Sequence, residues 1–109
     1  MKCRIYIVPF ELDTRKRLDV NDVIRIARRE MRINSPESDP CTIAWKNLGI
    51  DALYRERLAH SDLRVVFLYG QDIFAFDKTG TQGFVNGKPV EFDRTVTKWF
   101  LKFISKLEN

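Results

Sequence analysis

The sequence predicts an α+β fold: a single domain over residues 1–109 with a largely antiparallel sheet of about four or five strands and helices packed on one face. Three observations carry this. Short apolar runs alternate with polar residues at strand period, an Asn-Gly pair separates two of them, and longer segments repeat apolar residues at helical spacing.

The first strand is Lys2–Val8, where Cys3, Ile5 and Ile7 alternate with Arg4, Tyr6 and Val8. Pro9 ends it or confines it to an edge, because proline has no N–H for a ladder. Residues 10–19 are polar, include Arg15-Lys16-Arg17, and read as a loop. Asp19 then caps a helix over Val20–Ile33, with Val20, Val23, Ile24, Ala27 and Met31 on its apolar face. Residues 34–40 break the pattern and end in Asp39-Pro40, a helix start signal. A short helix follows, with Cys41, Ala44, Trp45 and Leu48 as its stripe and Gly49 as its stop.

Ile50, Leu53, Tyr54, Arg57 and Leu58 have helical spacing, so residues 50–60 read as helix. Arg64–Leu68 and Ile73–Asp77 are strands of a hairpin around residues 69–72. Residues 78–83 form a glycine-containing loop. Phe84-Val85 and Pro89–Phe92 flank Asn86-Gly87, the strongest short hairpin signal. Asp93 caps a last helix, Arg94–Leu107, whose core face is Val96, Trp99, Phe100, Phe103, Ile104 and Leu107.

Composition narrows the function classes. Hydrophobic residues make up 44% of the chain, enough for a packed core and too many for a disordered one. Its only cysteines are Cys3 and Cys41 and its one histidine is His60, so a structural zinc site lacks its ligands. Met1-Lys2-Cys3-Arg4 leads into a short alternating run, unlike a signal peptide, and no apolar stretch approaches a membrane span. The expectation is a cytoplasmic protein with two packed thiols, no membrane partner and no cofactor. The net charge of +4 is unevenly spread: residues 1–33 and 94–109 are basic, while 34–93 are acidic. That pattern fits two basic helices flanking a sheet better than a uniform coat for nucleic acid.

Two stretches carry a resemblance. Asp39-Pro40-Cys41-x-Ile43-Ala44-x-x-x-Leu48-Gly49 and Val90-x-Phe92-x-x-x-Val96-x-x-Trp99-Phe100-x-x-Phe103 resemble small α+β proteins of phages and mobile elements. The resemblance implies an origin and a fold, since that group has no settled activity. Its last helix often opens with proline, where this chain has Asp93. The Phe84–Phe92 hairpin also looks like the one that opens winged-helix domains of response regulators, a likeness of architecture only.

Each candidate site has an ordinary counterpart. Arg25, Arg28, Arg29 and Arg32 on the first long helix suit phosphates and base edges, as arginine makes bidentate contacts. Arg94, Lys98, Lys102 and Lys106 form one ridge of the last helix, fit to follow a phosphate backbone. The arginine set is the better candidate of the two, and both sets also suit solvated helix faces. His60 with Glu56 and Asp62 lacks the further groups catalysis needs. Asp72 and Asp77 fit turn chemistry as well as a metal, and Cys41 falls on an apolar stripe. The resulting expectation is a non-catalytic binding protein of DNA or RNA, acting through the basic helices. The alternatives are a protein–protein module, as an inhibitor of a host protein or a homodimer, and, behind it, a small-ligand binder or enzyme.

Overall fold

The computed structural model describes residues 3–11, 16–27, 29–33, 53–54 and 62–108. In chain order these form β1 (Cys3–Ile7), α1 (Val20–Ile26), β2 (Arg29–Ile33), β3 (Leu53–Tyr54), β4 (Leu63–Tyr69), β5 (Asp72–Asp77), β6 (Gln82–Val85), β7 (Lys88–Glu91) and α2 (Arg94–Glu108). The strands make one sheet, ordered β2-β1-β4-β5-β6-β7-β3, with every neighbouring pair antiparallel. The α+β class and the antiparallel sheet stand as the sequence predicts, with the five expected strands at its centre.

The two further strands are the outermost ones. The helix expected over Val20–Ile33 stops early: Ala27 turns extended, with ψ of 131°, and Arg29–Ile33 continues as β2. There Met31 stands opposite Ile5 and Arg32 opposite Arg4. Ladder bonds to β1 outweigh the modest helix preference of this segment, because propensity is a weak prior against tertiary pairing. Leu53–Tyr54, expected within a helix over 50–60, pairs instead with Val90 and Glu91 of β7. The rest of that segment and the helix expected after Pro40 lie outside the described residues, as do Trp45, Glu56 and His60.

The central hairpins follow their turn residues. Asn86 and Gly87 have φ of +50° and +82°, the left-handed pair that a two-residue turn between Val85 and Lys88 requires. Asn86 also accepts the Ile73 N–H at 2.7 Å and donates from its side-chain amide to Asp72 at 3.0 Å, fastening this turn to the start of β5.

Side chains alternate between two apolar layers, one on each side of the sheet. Ile5, Val65, Phe67, Phe74, Phe76 and Val90 meet Val96, Phe100 and Ile104 of α2. Val8, Val66 and Ala75 meet Leu18 and Val23, with Val20 and Ile24 of α1 alongside. Each described helix therefore packs on one face of the sheet, and the two take opposite faces. The expectation placed them together; β4 and β5 are apolar on both sides, which gives each helix its own layer.

At the start of β4 the pairing slips. Leu63 faces Asp77 and Val65 faces Phe76, leaving Arg64 as the extra residue of a bulge. Arg64 is buried, and its guanidinium donates to the Asp62 carboxylate at 2.9 Å and to the Leu63 carbonyl at 3.2 Å. Asp62 also accepts the Leu18 N–H at 2.8 Å, which anchors the chain entering α1.

Candidate nucleic-acid interface

Helix α2 begins where the sequence places it. The Asp93 carboxylate accepts the Val96 N–H at 2.8 Å, satisfying one of the N–H groups a helix start leaves unpaired. One turn in, the Thr97 hydroxyl donates to the Gly80 carbonyl at 2.7 Å and ties the helix to the β5–β6 loop. Gly80 has φ of +72°, and a Cβ there would stand 2.6 Å from the Phe100 ring, so only glycine lets the loop come this close. Phe100 itself is fully buried and stacks on Phe76, with ring centroids 4.5 Å apart. Phe92 stacks on Phe76 at 4.4 Å, while Trp99 and Phe103 both meet the Phe67 ring edge-on. This aromatic layer fixes the rotation of α2 and with it the direction of its polar side.

That side carries the expected ridge. Arg94, Lys98, Lys102 and Lys106 are all exposed, and the helix rises about 6 Å between successive members. None of the four has an ion pair or hydrogen bond among the described residues. Three like-charged pairs at four-residue spacing cost the helix about 1 kcal/mol in all. Lys106 lies in the last turn, where a cation suits the helix dipole, but Arg94 lies in a first turn with no acidic residue. Helix stability thus accounts for Lys106 alone; interleaved glutamates would serve the rest of the ridge better.

The arginine set is not assembled in this way. Only Arg25 is on α1; Arg29 and Arg32 are on the edge strand β2, and Arg28 is outside the described residues. The helical face that was to gather all four does not form. Arg25 donates to Asp22 at 3.0 Å, and Lys16 lies 3.6 Å from the same carboxylate. Asp22 also accepts the Asp19 N–H at 3.1 Å, while Asp19 accepts the Asp22 N–H at 2.8 Å, completing a capping box. The Asp19 N–H and the Arg25 guanidinium hold the Asp22 carboxyl below the usual carboxylate range. Lys16 and Arg25 therefore serve the start of α1, and the sheet separates them from the α2 ridge.

Asp72 and Asp77 are accounted for locally, and Cys41 lies outside the described residues. The Asp77 carboxylate accepts from the Thr79 hydroxyl at 2.9 Å and the Thr81 N–H at 3.3 Å, closing the β5–β6 loop, and Asp72 holds Asn86. Among the described residues no three His, Cys, Asp or Glu side chains converge on a metal position. A recess of about 200 Å³ beside Asp19, Asn21 and Phe84 holds no nucleophile or base apart from the capping aspartate. No described helix is long and apolar enough to cross a membrane.

Two features escaped the sequence reading. Lys78 is exposed in the β5–β6 loop, which Thr97 ties to α2. Trp99 and Phe103, expected on the core face, are only half-buried. Their position one step from the lysines on the helical wheel was the available signal. Comparisons with protein families, with curated proteins and with solved structures find no match to this chain.

Proposed function

We propose that the protein is a non-catalytic binder of nucleic acid that takes the phosphate backbone along α2. The observation that carries this reading is the Arg94–Lys98–Lys102–Lys106 ridge, exposed and without a counter-charge among the described residues, on a helix whose stability it lowers. The reading is independent of the arginine helix expected from the sequence. A cytoplasmic location is in keeping with it.

The test is a titration of labelled single- and double-stranded DNA and RNA at two salt concentrations, with K98Q/K102Q/K106Q beside the parent chain. Affinity that falls steeply with salt, and less steeply in the variant, supports the reading. Absence of binding at low salt removes it. A second reading, a protein–protein contact, draws on Leu101, which is 47% exposed on the same side of α2. A strictly monomeric protein that captures no partner at high concentration counts against that alternative.

A further inference from the structure

Resting on that reading, we infer that the ligand is a single strand, whose bases stack on Trp99 while Lys98, Lys102 and Lys106 follow its phosphates. Trp99 directly follows Lys98 and lies one turn before Lys102 and two before Lys106, so its ring borders the cationic ridge. The indole is half-buried, in a T-shaped pair with Phe67 at 5.7 Å, tilted toward Phe76 at 6.4 Å and parallel to Phe103 at 5.8 Å and 4°. Its N–H has no hydrogen-bond partner among the described residues. A tryptophan N–H enclosed by protein normally finds an acceptor, so this edge belongs at the solvent boundary. Packing against Phe67 and Phe103 holds the ring in place, so little freedom is lost when a base covers it.

The cations point the same way. Lysine approaches phosphate as a point charge, whereas arginine or asparagine pairs with base edges in a groove. The ridge has three lysines and a single arginine, Arg94, at its far end. A row of phosphate contacts beside one fixed aromatic plane is the recognition mode of unpaired, sequence-tolerant strands, since every base has a face to stack. A duplex keeps its bases stacked on each other and offers nothing to Trp99.

The experiment compares a fluorescein-labelled oligothymidylate with a duplex of equal length, measured on the full chain, Trp99→Leu and Trp99→Tyr. The expected result is tighter binding of the single strand. Trp99→Leu should weaken it roughly 5- to 100-fold, Trp99→Tyr should largely restore it, and duplex affinity should hold in both. Unchanged duplex affinity also reports that Trp99→Leu remains folded. In Trp45→Phe, where Trp99 is the remaining tryptophan, the strand should quench its fluorescence. Equal affinity for both probes without quenching overturns the inference, and if K98Q/K102Q/K106Q still weakens both, the broader reading survives. Failure of both probes to bind overturns the two together.

Discussion

The two helices use basic residues in opposite ways. In α1 the charges close on themselves: Asp22 meets Arg25, Lys16 and the Asp19 N–H within two turns. A helix of seven residues is far too short to persist alone, so such local contacts matter to its existence. Helix α2 is fifteen residues long and is held by rings on its other side, so its cations have no part in holding it. The lesson is that charge already engaged in folding is a poor guide to a partner, while charge that folding does not need is a good one.

The comparison breaks most directly at Phe100. Phe100→Ala removes the ring between Phe76 and Phe10 and should cost about 3–5 kcal/mol in urea unfolding. A loss below about 1 kcal/mol would mean that the aromatic layer does not hold α2. Next comes K98Q/K102Q/K106Q, which should lower the slope of log affinity against log salt by about 2–3 for duplex or single strand. The same variant should unfold no more easily than the parent, and up to about 1 kcal/mol less easily, since like-charge repulsion is gone. Loss of affinity together with loss of stability would return the lysines to a structural role.

Smaller effects are expected on the other side of the sheet. Asp19→Ala breaks the capping box and should cost about 1 kcal/mol in the same melts, leaving nucleic-acid affinity alone. Asp22 adds a pH dependence. Its folded-state pKa is depressed, so its contribution is fully present above the unfolded value of about 4 and disappears as pH falls through the folded value. Melts of Asp22→Asn across that acid range should show a flatter profile than the parent; an identical profile would contradict the assignment. Arg25→Gln should cost less than about 1 kcal/mol and leave the salt slope untouched, because its partner pair is exposed on the arginine side. A changed slope would place α1 in the interface after all.

The parts legible in the sequence are those fixed by neighbours along the chain. Alternation marks β1, two apolar runs around a turn mark β4 and β5, Asn86-Gly87 marks the β6–β7 turn, and Asp19 and Asp93 mark both helix starts. The end of α1 was not legible. Val20, Val23, Ile24, Ala27 and Met31 keep helical spacing straight through the point where the chain turns extended, and only pairing with β1 decides the matter. Leu53–Tyr54 likewise owes its form to β7, far along the chain. The lysine ridge was visible as spacing, but its freedom from partners is a property of the folded surface. The spacing of Trp99 fits the core face; its half-burial is decided by how α2 is turned on the sheet.

The bulge at Arg64 has a consequence for how this chain tolerates change in length. Leu63 belongs to the layer under α1, although by count along the strand it shares parity with Val65 and Phe67, which belong under α2. The extra residue reverses the side to which everything before it points. Deleting Arg64 would set Leu63 directly before Val65, and plain alternation would still turn it toward Leu18 and Val23. That deletion would remove the Arg64 bonds to Asp62 and Leu63 but leave both layers in place, whereas losing a residue between Val65 and Leu68 would turn over one end of the strand and disturb both at once. The count of residues is therefore strict inside β4 and lenient at the bulge.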